Sequence, residues 1–376
     1  MNGFISEPFT ADSSATMPRV AHQQERAVMK CTLLSLFFLG IVVSVPAEGF
    51  HENGGSNCGE CHMMHYSEDG LSVATDALGR PGLLKVESPS DICLACHAEP
   101  AGAVPVLGIN PLSPPGERGA GNFVFLYEDE LNDSLEVIDF VSGDAAGHSV
   151  VAPSNGLLPD PRYSFAPGGS FPSNDLGCTS CHDPHGSRNF RLLNGQGPVM
   201  GGLAQFSFAA PQAEGIEVIT SSESSTNHTA YRGGMSDWCG NCHGLRYHDS
   251  GLSSFKHPSD EVLGIEHLDQ YNRYNGEDDP LDGSPARAYL PEVPFEGGGS
   301  TVASTAGPSA SSRVMCLTCH RAHASSAPHS GRWDFSVNLL SEDGVLSGSY
   351  PLPDPYSSPN QGSLCRKCHE TIPSSE

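Results

Sequence analysis

Six copies of one short motif account for almost every cysteine in the chain. Of its 13 cysteines, all except Cys31 lie in Cys-x-x-Cys-His motifs, which we number 1 to 6 along the chain. The cysteine pairs are Cys58 and Cys61, Cys93 and Cys96, Cys178 and Cys181, Cys239 and Cys242, Cys316 and Cys319, and Cys365 and Cys368. The histidines that follow them are His62, His97, His182, His243, His320 and His369.

This motif predicts covalently attached haem c. The two cysteines form thioether bonds to the porphyrin, and the adjacent imidazole becomes the proximal ligand of the iron. Disulfide bonds are common in exported proteins, and zinc ribbons also use cysteine pairs. Neither requires a histidine directly after the second cysteine in every copy. The sequence therefore predicts six haem c groups and a multihaem cytochrome.

Three further histidines repeat at a fixed distance from a motif. His65, His185 and His323 each lie three residues after the proximal histidine of motifs 1, 3 and 5. Three residues span at most about 10 Å, so such a histidine cannot pass the edge of its own porphyrin and reach the opposite face. We therefore expect each of them to ligate the iron of an adjacent haem, in a repeating two-haem unit. The alternative is a surface histidine or one bonded to a propionate.

The other distal ligands are predicted by inventory. His51 precedes motif 1, and His148 and His257 lie in long segments between motifs without another evident role, so these three complete the set. His248 is the reserve candidate. Solvated or structural roles are assigned to the remaining histidines outside the leader: His228, His267 and His329.

Composition and charge restrict both the fold and the partners. The net charge of −25 argues against binding to nucleic acid or to anionic membrane surfaces. Only 38% of the residues are hydrophobic, while Gly 42 and Pro 30 are abundant, so side chains alone bury little surface. Six largely apolar macrocycles would fill that core. We expect mostly coil, with short helices and a few short strands, around a haem-filled core.

The first 49 residues are predicted to be a leader. Residues 33–45 form an apolar run of 13 residues after Lys30, which is too short to span a membrane and fits a signal peptide. Met29 would give a compact signal, which makes residues 1–28 a candidate mis-set start. Residues 50–376 would then form a single hexahaem cytochrome c domain without a transmembrane segment.

Few segments predict regular secondary structure. A hairpin is predicted from residues 123–128 and 135–141, and a further strand from residues 215–220. A longer helix is predicted within residues 258–274, from the start of that segment. Helix N-caps are predicted before motif 2 at Ser90 or Asp91, and before motif 4 at Ser236 or Asp237.

Several motif segments are more specific than the attachment signal. They are Phe50-His51 with Cys58-Gly-Glu-Cys61-His62-Met-Met-His65, Ala166-Pro-Gly-Gly-Ser-Phe-Pro with Cys178-Thr-Ser-Cys181-His182-Asp-Pro-His185, Gly234-Met-Ser-Asp-Trp238 before motif 4, Cys316-Leu-Thr-Cys319-His320-Arg-Ala-His323, and Leu364 before motif 6. In this order they resemble the OmcS-like family of hexahaem outer-surface cytochromes of metal-reducing bacteria. The resemblance covers nearly all of residues 50–376, while the linkers diverge.

This resemblance implies a protein that polymerises into an extracellular filament with a continuous chain of haems, in which every iron has two histidine ligands. In that family, the histidine three residues after motif 1 ligates a haem of the neighbouring protomer. His65 is the matching position, and its haem would be the one attached to Cys316 and Cys319. The implied function is electron transfer to external acceptors rather than catalysis.

Two other functions stay open at this point. A monomeric periplasmic or outer-surface electron shuttle would carry the same haems without forming a polymer. A multihaem reductase would need a haem with a vacant or lysine-bound position, but the chain has no Cys-x-x-Cys-Lys and has many spare histidines. We expect secretion to the cell surface after haem attachment in the periplasm.

Overall fold

The computed structural model divides the chain into two units, Met1–Gly49 and Phe50–Glu376. The predicted leader lies outside the described residues, so the account below concerns the second unit. The longer described stretches are 58–63, 84–86, 88–127 (without 101, 103 and 117), 146–216, 222–244, 259–276, 282–342 and 360–370. The shorter pieces are 51, 67–68, 71–72, 131–132, 140–141, 355–356 and 358.

Five of the six motifs lie on α-helices, and these helices have two lengths. In the odd motifs the helix spans only the cysteine pair: α1 (Cys58–Cys61), α3 (Cys178–Cys181) and α6 (Cys316–Cys319). In motifs 2 and 4 a nine-residue helix ends at the proximal histidine: α2 (Pro89–His97) and α4 (Met235–His243). Motif 6 begins in a 3₁₀ turn, Leu364–Lys367, and α5 (Ile265–Arg273) is the one described α-helix without a motif.

The described strands form four separate antiparallel pairs. They are β1 (Ser67–Glu68) with β2 (Leu71–Ser72), β3 (Leu131–Asn132) with β4 (Phe140–Val141), β5 (Gly197–Val199) with β6 (Ala204–Phe206), and β7 (Gln212–Glu214) with β8 (Ala230–Gly233). No larger sheet occurs among the described residues. The fold is mostly coil with short helices and a few short strands, which confirms the predicted class.

The predicted hairpin is correct only in its second half. The segment predicted as its first strand forms a 3₁₀ turn, Phe123–Tyr127, because Asn122 Oδ1 accepts a hydrogen bond from the Val124 N–H (3.0 Å) and bends the backbone. Three consecutive residues of this turn are buried, which a strand with one covered face could not achieve. The hairpin instead pairs β3 with β4, in the register Asn132↔Phe140.

Two other elements lie near their predicted places. The strand predicted at residues 215–220 is not formed at residues 215–216, which are coil directly after β7 ends at Glu214, and residues 217–220 lie outside the described residues. The helix predicted within residues 258–274 is confirmed as α5. It begins later than predicted, because Gly264 occupies the N-cap and the preceding residues pair with the segment around Arg313.

Both predicted N-caps are wrong. The side chain of Ser88 caps α2 by accepting the Ser90 N–H at 3.2 Å, and Gly234, with φ 83°, precedes α4. Ser90 and Ser236 lie inside the first helical turns. Their hydroxyl groups contact other parts of the chain, as described below.

The buried apolar side chains form three small clusters around the motifs. The first surrounds Leu94 of motif 2 and includes Phe125. The second surrounds Trp333 and packs against the cysteines of motif 6, and the third surrounds Met315 and packs against motif 4. The core of the described structure therefore follows the line of attachment motifs rather than lying between layers of secondary structure.

Candidate haem-binding sites

The motif helices pack in pairs, 2 with 3 and 4 with 5. In the first pair, Ser90 of α2 accepts a hydrogen bond from the backbone N–H of Cys178 at 3.1 Å. In the second, Ser236 of α4 accepts one from the backbone N–H of Cys316 at 3.3 Å. The first cysteine of each even motif therefore lies beside the first cysteine of the next odd motif. The Cys93 thiol hydrogen-bonds to Cys178, which raises the pKa of Cys93.

Two pairs of histidine rings face each other across a gap, at motifs 1 and 2. The rings of His62 and His185 have centroids 6.2 Å apart and planes 16° apart. His51 and His97 have the same separation and an angle of 20°. Two imidazoles that each ligate one metal ion through a nitrogen at about 2 Å would have centroids about 6 Å apart. The gaps therefore match the space that a six-coordinate haem iron needs.

Motif 4 has a similar pair. His148 lies opposite His243, with ring centroids 5.9 Å apart and an interplanar angle of 49°. The two residues are 95 positions apart in sequence, so the pairing depends on the tertiary fold. This placement agrees with the assignment of His148 to an iron, which rested on inventory alone.

Motif 6 faces a histidine to which the sequence gave no ligand role. The ring of His267, on α5, lies 4.9 Å from the ring of His369 at an angle of 61°. Helix α5 is held against motif 6 by Gln270, whose side-chain amide donates to the Arg366 carbonyl at 3.0 Å. His267, Gln270 and Tyr271 share one face of the helix, and this three- and four-residue spacing is the signal that could have identified His267. The predicted ligand His257 lies outside the described residues.

His323, which follows motif 5, is buried within range of the charge of His182 in motif 3. Its ring stacks on Phe123 at 4.4 Å. Burial lowers the pKa of His323 to about 3, with a smaller contribution from His182. His323 Nδ1 is buried without a hydrogen-bond partner. A neutral imidazole with an unused nitrogen beside the proximal histidine of motif 3 fits a metal ligand.

Motif 5, like motif 3, has no imidazole ring facing its proximal histidine among the described ring pairs. The His320 ring packs edge-on against Phe335 at 5.5 Å, and in the described part of the chain no second imidazole stacks on it. His65, which the sequence assigned to this iron in a neighbouring protomer, lies outside the described residues.

Backbone carbonyl groups fix the orientation of the candidate ligands. Four candidate ligands donate their Nδ1–H to a backbone carbonyl. His182 donates to Arg191 at 2.8 Å and His243 to Pro167 at 3.0 Å. His320 donates to His329 at 2.9 Å and His148 to Ala322 at 2.7 Å. His97 makes a longer contact with Val104. Each bond leaves the lone pair of Nε2 free to ligate a metal ion. Burial also lowers the pKa of His182 and His320, which favours the neutral, ligating form.

One buried cation was not predicted. Lys367, between the cysteines of motif 6, is 1% exposed. Its ammonium group donates to the Tyr274 carbonyl at 3.2 Å and to the Tyr356 hydroxyl, and it lies 4.7 Å from the centre of the Tyr271 ring. Burial lowers the pKa of Lys367 to about 7. The motif spacing gives no information about burial at this position.

The chain is similar to known cytochromes in sequence and in structure. The family model for the doubled CXXCH motif matches residues 171–200. A curated relative, C-type cytochrome OmcS of Geobacter sulfurreducens, is 27% identical over 432 aligned positions that cover 89% of this chain and 98% of the relative. The outer membrane cytochrome S filament from the same organism matches with a TM-score of 0.69, at 25% identity over 84% of this chain and 98% of that one. A cryo-EM structure of OmcS nanowires matches with a TM-score of 0.64.

These similarities confirm the predicted resemblance to OmcS-like cytochromes. The chain has the fold of a multihaem c-type cytochrome, and its CXXCH motifs are sites for covalently bound haem c. Among the described residues, no helix has the length and apolar character needed to cross a bilayer.

Proposed function

We propose that this chain is an extracellular electron-transfer protein that carries six haem c groups and polymerises into a filament. The observation that carries the proposal is the order of the facing histidine rings along the chain. His185, after motif 3, faces His62 of motif 1. His323, after motif 5, is near enough to His182 of motif 3 for the charge of His182 to lower the pKa of His323. Each therefore reaches back by two motifs.

If His65 also pairs with the proximal histidine two motifs earlier, its partner must belong to another chain. His65 follows motif 1, so two motifs back lies a motif of a preceding protomer. Because motif 5 is two positions before the motif 1 of the next chain, His320 would be the proximal partner of His65 from a neighbouring protomer. Among the described residues no imidazole ring faces His320, which leaves room for a ligand from another chain, although the same is true of His182. The filament formed by the structural relative supports polymerisation of this chain.

We propose two histidine ligands for every iron. The pairs within one chain are His62 with His185, His97 with His51, His182 with His323, His243 with His148, and His369 with His267. The sixth pair is His320 with His65 of a neighbouring protomer. On this proposal His267 takes the role that the sequence gave to His257, because its ring lies 4.9 Å from that of His369.

These ligand sets favour electron transfer over catalysis. Haem c supplies a reversible one-electron couple when bound. The thioether-forming cysteines hold each group at a fixed place, and the carbonyl groups that accept from Nδ1–H keep the imidazoles in the ligating tautomer. Two histidines at each site leave no position for a substrate, so we propose that the chain is not an enzyme. Residues 1–49 would be removed as a leader, and residues 50–376 would be exported after haem attachment in the periplasm.

The proposal is tested by the secreted protein and two variants. We expect mass spectrometry to give six haems per chain and electron microscopy to show filaments. His65→Ala should give protomers that keep six haems and do not polymerise. The matched control is His329→Asn, since His329 has φ 58° and asparagine tolerates that backbone conformation; it should polymerise normally.

Three outcomes would contradict the proposal. Wild-type protein that stays monomeric with six low-spin haems would favour the electron shuttle. A high-spin, five-coordinate haem in the wild-type polymer would favour the reductase. Filaments of normal length from His65→Ala would remove the ligand link between protomers.

A further inference from the structure

Ser90 and Ser236 occupy the same place in two different motifs. Each lies three residues before the first cysteine of an even motif and is followed by aspartate, in the sequence Ser-Asp-x-Cys-x-x-Cys-His. Each lies in the first turn of a nine-residue helix that ends at the proximal histidine. Ser90 is 1% exposed and Ser236 is 3% exposed. Neither hydroxyl caps its own helix.

Both hydroxyls instead bind the next motif along the chain. Ser90 Oγ accepts the N–H of Cys178, 88 residues away, and Ser236 Oγ accepts the N–H of Cys316, 80 residues away. The bonded atom in each case is the backbone nitrogen of the first attachment cysteine. A single hydrogen bond from the serine side chain therefore joins the helix of one attachment site to the first cysteine of the next.

The local structure on the donating side, around Cys178 and Cys316, is also repeated. One residue before Cys178, the Gly177 N–H donates to Ser180 Oγ at 2.9 Å. One residue before Cys316, the Met315 N–H donates to Thr318 Oγ1 at 3.1 Å. These bonds hold the turn that presents the cysteine N–H to the serine. At the first junction the approach is so close that a Cβ on Gly177 would lie 2.7 Å from Ser90 Oγ.

We propose that Ser90 and Ser236 are positioning residues that fix the separation of consecutive haems where motif 2 meets motif 3 and where motif 4 meets motif 5. Electrons must cross both junctions to pass through one protomer, since these junctions join the two-haem units. This inference rests on the proposed function. The equivalent position in motif 6 is Gly362, which has no hydroxyl, so the junction between protomers lacks this device.

The test compares Ser90→Ala and Ser236→Ala with a matched control in the mature holoprotein. Ser312→Ala is the control, because Ser312 is fully buried and its hydroxyl accepts a local N–H from Ser309 at 2.9 Å without joining two motifs. Each variant loses one neutral hydrogen bond, which corresponds to about a five-fold fall in the ratio of closed to open junction for Ser90→Ala and Ser236→Ala.

Two measurements follow the junction. Hydrogen exchange of the Cys178 or Cys316 amide should accelerate by about five-fold in the matching variant. After laser photoreduction, the electron should redistribute among the haems more slowly in Ser90→Ala and in Ser236→Ala than in the wild type. Haem content, reduction potentials and the rate in Ser312→Ala should stay at wild-type values, which a general loss of stability would not produce.

If the electron redistributes among the haems at the wild-type rate in both Ser90→Ala and Ser236→Ala, this inference is overturned. Loss of haem attachment in both would do the same, because the serines would then serve the folding of the motifs. A wild-type protein with fewer than six haems, or with no electron redistribution, would instead contradict the proposed function. The two failures are therefore distinguishable.

Discussion

Replacing His267 with alanine should open one axial position at a single iron. The ring of His267 lies 4.9 Å from that of His369, and Gln270 on the same helix face is bonded to the motif 6 turn. Alanine removes the imidazole while keeping helix α5, since it is the best helix former. His267 is exposed in the described structure, so the substitution deletes little packing.

The structure gives the size of both effects. On the proposed ligand set, one of six haems loses its second ligand, so one haem per chain should become high-spin and should bind one carbon monoxide molecule when reduced. Replacing an exposed helical histidine with alanine changes stability by less than about 1 kcal/mol. A larger fall in the thermal midpoint would therefore come from the lost bond between His267 and the iron.

Carbon monoxide titration of the dithionite-reduced protein measures the open sites directly. Wild-type filaments should bind none, and His267→Ala should bind one per chain. His329→Asn serves as the control, because His329 contributes its backbone carbonyl, and not its ring, to His320. It should bind none.

His257→Ala decides between the two candidate ligands of motif 6. If His257→Ala binds one carbon monoxide per chain and His267→Ala binds none, the assignment of His267 is wrong and His257, which the sequence predicts as a ligand of an unspecified iron, takes its place. If neither variant binds carbon monoxide, the sixth iron has a ligand outside both positions.

Two further predictions concern the fold. Tyr271→Phe should lower the free energy of unfolding by about 1–3 kcal/mol, measured by thermal denaturation against wild type, because it leaves the Val293 carbonyl and the Leu290 N–H, which bond to the hydroxyl, buried without a partner. No loss would show that the hydroxyl bonds do not form. Burial raises the pKa of Glu296, so its proton stabilises the fold at low pH, and this contribution is lost as the pH rises through the raised pKa. The thermal midpoint of Glu296→Gln relative to wild type should therefore increase from pH 4 to pH 8, and a constant difference would contradict the shift.

The sequence was most informative where the chemistry is local. The attachment motifs are contiguous, so their residue types alone predict covalent haem. The prediction that His185 ligates a different haem also follows from local geometry, because a segment of three residues cannot reach around a porphyrin. The identity of that haem depends on contacts between residues more than 100 positions apart. The spacing of residues within one segment does not predict such contacts.

Residues that work across long distances were misread for the same reason. Ser90 and Ser236 fit the composition of an N-cap, but their hydroxyls bind cysteines 80 or more residues away. The sequence predicts a solvated or structural role for His267 and no ligand role, because its position opposite His369 depends on the packing of α5. The turn at Phe123–Tyr127 was read as a strand because apolar and aromatic residues favour strands, whereas Asn122 determines the local backbone.

The position of the buried side chains explains how a chain with a low hydrophobic content can form a core. Cys319, Cys365 and Cys368 pack against the cluster around Trp333, and Cys239 packs against the cluster around Met315. Thioether-linked macrocycles at these cysteines would extend the clusters and join them into one core. Because a chain with 38% hydrophobic residues has little else to bury, folding and haem attachment should be coupled. The cofactors would then determine the fold as well as the electron path.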